Sequence, residues 1–280
     1  MEITGHYEAH LESHKIIASL QQAYPNGADK YQLAPIDQLH IGGIKASEKL
    51  LKNLNSSDKV LEIGSGCGGL MRLIQGQGID VTGLDISHGL NSLNSQLASI
   101  SSDCQNSGHS KVITGDAHNL PFPNNCFNAV VMQHSLLNMP DTLRVLSECK
   151  RVLKSTGKLV LHEIIQEERG VPLLFPVPWA LNPEESFLLN ESDLTTILIE
   201  SGYEIRFVTD WTKDALNWSE RQQNKDKKGS PYIPAVEPSM VFGSSVNKMV
   251  QNVNLNLLRG SIRVIEVVCL YVGNEASLKD

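Results

Sequence analysis

Between residues 57 and 165, apolar residues arrive in short unbroken runs, separated by stretches with helical spacing. KVLEI (59–63), VTGLD (81–85), KVIT (111–114), NAVVM (128–132) and KLVLHEII (158–165) read as strands covered on both faces. The segments between them, through Gln75, over 88–100 and over 141–153, read as helices. Strands alternating with helices require right-handed crossovers, and these build a parallel sheet with helices on both sides.

Outside that region the pattern changes. Residues 8–22 place Leu11, Ile16, Ile17 and Leu20 on one side of a helix, and 44–54 carry Ile44, Leu50, Leu51 and Leu54 in the same way. Between them, Pro35 and Gly42–Gly43 are expected to break regular structure. Further on, 191–202 reads as a helix closed by Gly202, followed by strands at 203–208 and 262–272. The proline-rich stretch 166–190 and the long stretch 211–261 have no obvious place in the sheet. Ligands bind beyond the carboxyl ends of strands in open α/β sheets. The chain is therefore expected to be one domain: N-terminal helices and a lid (1–56), a cofactor-binding core (57–165), and two insertions forming a substrate cap.

Composition narrows the function classes. With 41% hydrophobic and 20% charged residues, the chain suits a globular fold with a large core. A net charge of −7 argues against a phosphate-collecting surface, so nucleic acid is not an expected partner. The basic group Lys225, Lys227 and Lys228, diluted by Asp226, reads as a solvated loop. Residues 1–15 lack the basic start and apolar run of a signal peptide, and no run approaches the ~18 apolar residues of a membrane span. Five cysteines with no CxxC pair suit a reduced, cytoplasmic setting and no metal site.

The chemistry concentrates in Glu62-Ile63-Gly64-Ser65-Gly66-Cys67-Gly68-Gly69, directly after a strand and before a helix. Glycines there permit a sharp turn and let a ligand approach the backbone. Gly64, Gly66 and Gly69 satisfy the dinucleotide pattern GxGxxG, and Asp85, at the end of the second strand, suits a ribose in either reading. Two features separate the readings. Glu62 would face the anionic pyrophosphate of a dinucleotide, whereas a sulfonium and ammonium ligand would welcome it. Asp116, in Gly115-Asp116-Ala117, is placed to accept a hydrogen bond from an adenine amino group.

These residues resemble the class I S-adenosylmethionine-dependent methyltransferases. VLEIGSGCGG, GLDIS, GDAHNLPFPNNCFNAVVMQHSLLNMPD and RVLKSTGKLVLHE follow that family's motifs in order over about 57–165. Within it, DQLHIGG (37–43), PVPWA and ESFLL are similar to the sarcosine/dimethylglycine and ubiquinone-type enzymes. The resemblance implies a Rossmann-like, doubly wound, mostly parallel seven-stranded sheet with an antiparallel last strand. It also implies S-adenosylmethionine as cofactor and a small-molecule acceptor. Carried over by motif, Glu62, Gly64, Ser65, Gly66 and Gly68 line the methionine and ribose end, and Asp85 holds the ribose hydroxyls. Ile86 lies on the adenine face, and Asp116 and Ala117 lie at its edge. Gln133 and His134 approach the methionine portion, while Gln38 closes over the cofactor. The family's two histidines in this tail are replaced by Leu137 and Asn138.

Transfer from a sulfonium needs alignment and exclusion of water, and needs a base only if the nucleophile carries a proton. His40, His134 and His162 are candidate proton acceptors, each also readable as a core histidine, and no catalytic base is assigned. His162, Glu163 and Trp179 are candidate substrate contacts, with Phe175 a further aromatic wall. Two other functions stay open at this point: an NAD(P)-dependent oxidoreductase, and a cofactor-binding scaffold without turnover.

Overall fold

The computed structural model describes residues 7–104, 108–167, 171–228 and 234–272, with backbone alone for 104 and 223–228. β1 (Lys59–Ile63) is buried beyond its first residue and runs parallel to β2 (Asp80–Asp85) on one side and β4 (Phe127–Gln133) on the other. β3 (Ser110–Thr114) continues beyond β2 and β5 (Leu153–Gln166) beyond β4, both parallel. β7 (Ile262–Tyr271) then runs antiparallel to β5, and β6 (Tyr203–Asp210) closes that edge against β7. The order β3-β2-β1-β4-β5-β7-β6 reverses direction between β1 and β4, so a crevice opens at their carboxyl ends.

The continuous apolar runs are explained by cover on both sides. Leu61 and Ile63 pack with Leu146, Cys149, Leu194 and Leu198 from α6 (Thr142–Val152) and α7 (Glu191–Glu200). Val60, on the other face, packs with Leu70 and Ile74 of α4 (Gly69–Gly76) and Leu50 of α3 (Gly43–Leu50). A third cluster joins α1 (Ser13–Ala23), α2 (Lys30–Asp37) and α5 (His88–Ile100).

Three local expectations are corrected. Residues 30–37 form a helix despite Pro35. Asp29 caps it by accepting the N–H groups of Tyr31 and Gln32, and Gln32 accepts the N–H of Asp29 in return. β5 starts at Leu153 rather than at 158, with a register shift opposite Phe127/Ala129 and a positive φ at Thr156 in the added residues. The stretch 211–261 folds into α8 (Thr212–Lys228), α9 (Ser239–Phe242) and α10 (Val246–Leu258). Lys225, Lys227 and Lys228 thus belong to the last turns of a helix rather than a loop, and their side chains lie outside the described residues. That helix is so polar that no apolar period marks it.

Ile41, Trp179, Trp211, Val253 and Leu257 share one buried cluster, so the N-terminal segment and both insertions meet over the crevice. Among the described residues, Cys67, Cys126, Cys149 and Cys269 are unpaired, and no helix is long and apolar enough to cross a membrane. No cluster of three or more histidine, cysteine or acidic side chains able to hold a metal ion occurs among the described residues.

Candidate functional site

The turn after β1 is tied down from three sides. The N–H groups of Gly64 and Ser65 donate to the carbonyl of Leu84 at 2.7 and 3.2 Å, joining it to the end of β2. The Ser135 hydroxyl donates to the carbonyl of Ile63 at 2.7 Å, and a Cβ on Gly64 would collide with that serine. The buried Arg72 donates to the carbonyl of Cys67 at 2.6 Å, to Asn94 Oδ1 at 3.2 Å and to Asp37 Oδ2 at 2.7 Å. Gly68 opens α4 in the left-handed region at φ 79°, with the Asn94 amide where a Cβ would stand. Gly68→Ala is therefore expected to lower stability by about 1–3 kcal/mol, read as a shifted urea midpoint.

Gly66 is the exception to this crowding. Its φ is +49°, nothing lies within 4 Å of the position of a Cβ, and its N–H donates to Asp85 Oδ2 at 2.8 Å. The other oxygen of Asp85 accepts the Ser87 N–H at 2.9 Å. The carboxylate is thus fixed by two backbone donors at the floor of a cavity of 340 Å³. Ile86, Asp116 and Ala117 also line this lobe. Asp116 is partly exposed; its Oδ1 accepts the His118 N–H at 2.9 Å and lies 2.7 Å from His118 Nδ1.

A second lobe of 210 Å³ reaches from the glycine turn to the cap. The two lobes share Tyr7, Gly64, Gly66, Leu90 and His134, and so form one crevice. Glu62, Ser65 and Gln133 line the sheet side of the second lobe, Asp37 reaches it from the end of α2, and Trp179, Trp218 and Val253 line its cap side. Several polar atoms at this end are buried without a partner: Glu62 Oε2, Asp37 Oδ1, Ser65 Oγ, Gln133 Nε2 and His134 Nε2. Burial pushes the Glu62 carboxyl up to about 8, with Arg72 opposing and Asp85 adding to the shift. Burial likewise raises Asp37 against the pull of Arg72. Two carboxyl groups with unused oxygens make this end receptive to a positively charged group.

The raised Glu62 sets a pH prediction. The folded chain holds its proton up to about 8, whereas the unfolded chain releases it near 4.5, so its stabilising contribution is complete below 4.5 and lost as pH rises through 8. Glu62→Gln stays neutral throughout. Without ligand it should be more stable than the parent at pH 8, with the difference vanishing near pH 4.5, as read from urea midpoints at both ends. Glu163, pushed up to about 7, is present in both proteins and cancels in the comparison.

The other sequence-derived candidates divide. His134, held at φ 52°, stands where the lobes meet; it stacks on His162 at 5.1 Å and contacts His40 edge-on at 5.6 Å. Burial lowers the proton affinity of all three, to about 4 for His40 and about 3 for His162, so they are neutral imidazoles. Trp179 lines the second lobe, its indole N–H donating to Ser186 Oγ at 3.2 Å, while Phe175 packs into the cap cluster. Gln38 lines neither lobe: its Oε1 accepts the Ser47 hydroxyl at 2.8 Å, and its neighbours Asp37 and Leu39 face the crevice instead. His162 sits against a smaller side cavity.

Glu163, expected as a substrate contact, lines neither lobe. Its Oε1 accepts the N–H groups of Ser135 at 3.0 Å and Leu136 at 2.9 Å, so it holds the turn after β4. The pleat sends consecutive residues to opposite faces, so His162 and Glu163 cannot share one pocket.

Sequence reasoning missed Tyr7, Asp37, Arg72 and Asn94. Tyr7 lines both lobes and donates its hydroxyl to Asn138 Oδ1 at 3.1 Å. Arg72 carried a signal, being the one charge in the apolar helix GLMRLIQG. Its partner Asp37 is 35 residues away and carried none.

Residues 61–161 match a family model described as a methyltransferase domain. A demethylmenaquinone methyltransferase of Thermotoga maritima is 37% identical over 110 residues, 39% of this chain and 44% of that protein. A sarcosine/dimethylglycine N-methyltransferase of Aphanothece halophytica is 33% identical over 122 residues, 42% of each chain. The chain thus matches less than half the length of either relative. The whole fold is similar to a crystal structure of geranyl diphosphate C-methyltransferase from Streptomyces coelicolor A3(2). That structure has a TM-score of 0.66 and 17% identity, and the match covers 92% of this chain and 98% of that one.

Proposed function

We propose that this chain is a class I S-adenosylmethionine-dependent methyltransferase that moves the methyl group of that cofactor to a small molecule bound under the cap, a reading supported by the methyltransferase-domain match over residues 61–161 and by both relatives. The observation that carries the proposal is the pairing of two features in one crevice. A backbone-fixed carboxylate, Asp85, serves a sugar, and unpartnered carboxyl oxygens on Glu62 and Asp37 serve a cation. The NAD(P) reading fits poorly, because a pyrophosphate against the glycine turn would meet both of those acids.

The bound cofactor supplies an electrophilic methyl group on a sulfonium. Asp85 would present its remaining lone pairs to the ribose hydroxyls, and Ile86, Ala117 and Asp116, which line the same lobe, would hold the adenine. Glu62 and Asp37 offset the charge of the amino-acid end, with Gly66 leaving room for it and Gln133 offering an amide N–H. Ile41, Leu137, Ile164, Trp179 and Trp218 form a largely apolar chamber that keeps water from the reacting centre. Holding nucleophile and methyl in line inside such a chamber is the main catalytic contribution. Burial holds the proton affinity of His134, at the junction of the lobes, well below its ordinary value, so it is a poor proton acceptor and no base is assigned; an acceptor with a free lone pair needs none. The N-terminal segment and the insertions 166–190 and 211–261 are read as the closing cap, and the unpaired cysteines as the mark of a reduced, cytoplasmic setting.

Isothermal titration calorimetry of the purified chain tests this directly. S-adenosylmethionine should bind at one site, with proton release between about pH 5 and 8 as Glu62 ionises against the incoming charge. NADH should not bind. The reverse ranking would return the site to the oxidoreductases.

A further inference from the structure

Beside the second lobe lies a smaller cavity of 80 Å³ that the methyl-transfer mechanism leaves unused. Ile41 and Trp218 line both spaces, so the two meet across these side chains. At its inner end is His162, fully buried, with neither ring nitrogen hydrogen-bonded. Its ring neighbours cannot help: His134 stacks on it, and Trp211 stands at 84° to it with centroids 5.0 Å apart. A neutral imidazole has one N–H donor and one acceptor, and a buried polar group left unmatched is costly. The cavity it lines is the space from which a partner can come.

The mouth of this cavity is positive. Lys45, Lys49 and Arg221 line it, against one carboxylate, Asp214. Lys49 already answers that carboxylate at 2.8 Å and lies 4.0 Å from the centroid of the Trp211 ring. The charges of Lys45 and Arg221 therefore remain in excess. The cavity has room for a planar carboxylate.

We propose that this side cavity is a carboxylate-binding subsite, in which His162 donates a hydrogen bond from the inner end while Lys45 and Arg221 supply the balancing charge. The inference rests on the methyltransferase reading, because it makes the subsite an anchor for the far end of an acceptor whose reacting end lies in the second lobe. A free small carboxylate shares the same chemistry, and the test separates the two sources.

Calorimetry on the full chain saturated with S-adenosylhomocysteine would compare 4-hydroxyphenylpropionate, 4-propylphenol and acetate. The two phenols share ring and chain and differ in the charge. The acid should bind at least about tenfold more tightly than the neutral phenol, as expected for one charge-assisted contact. That preference should fall below about twofold in the double variant Lys45→Ala/Arg221→Ala, with affinity for S-adenosylhomocysteine retained as evidence of folding. Lys52→Ala, outside the cavity lining, should keep it. Acetate that weakens the acid but not the neutral phenol supports the subsite and shows that a free carboxylate also enters it; acetate without effect assigns the subsite to the acceptor alone. Equal binding of the two phenols, a preference untouched by the double variant, or no binding of any of the three would overturn the inference. Failure of S-adenosylhomocysteine itself to bind would instead strike at the methyltransferase reading.

Discussion

Asp85→Ala is expected to weaken S-adenosylmethionine binding by two orders of magnitude or more in a calorimetric titration. The carboxylate is buried and held by the N–H groups of Gly66 and Ser87, so it meets a ligand already oriented. Hydrogen bonds from ligand hydroxyls to a charged acceptor contribute about 1.5–3 kcal/mol each, and two of them correspond to roughly 10² to 10⁴ in affinity. The substitution also leaves the Gly66 N–H without its acceptor, at the glycine where the two lobes join. Asp85→Asn keeps one acceptor oxygen and should fall between the two. A loss of less than tenfold in Asp85→Ala would mean that the sugar is held elsewhere.

The largest effect on stability is expected at Arg72. Arg72→Met should lower the free energy of unfolding by about 3–5 kcal/mol, measured from urea denaturation, because it strands a buried carboxylate. The side chains of Arg72 and Asp37 are only 5% and 3% exposed, so water cannot replace the lost partner. The same guanidinium also supports the carbonyl of Cys67, so the glycine turn loosens with it. Removing both charges in Arg72→Met/Asp37→Leu should recover much of the loss, since the desolvation of each charge disappears along with their attraction. If the single variant is as stable as the parent, the pair does not anchor α2 to the turn.

How far the sequence spoke depended on whether the determining contacts were local. The strands from 59 to 165 were visible because burial on both faces leaves no polar interruption, and the glycine turn because three positive-φ glycines follow a strand. Asp85 was legible as an acid at the end of β2, a position that topology alone brings to the crevice. The helices at 30–37 and 212–228 were not. The first depends on an Asp29 cap that outweighs Pro35, and the second is too polar to show a period. Glu163 was misplaced because residue type says nothing of which face of β5 a carboxylate takes; its ties to Ser135 and Leu136 span 28 and 27 residues. Tyr7 and Asp37 come from N-terminal segments that only the folded chain lays over the sheet, and no spacing rule reaches across that distance.

A crystal structure of the complex with S-adenosylhomocysteine bears most directly on the crevice. The ribose should lie within hydrogen-bonding distance of both oxygens of Asp85, the adenine between Ile86 and Ala117, and the ammonium against Glu62. Nucleoside density in any other position, or an Asp85 carboxylate facing solvent with the crevice filled by protein, would contradict the account.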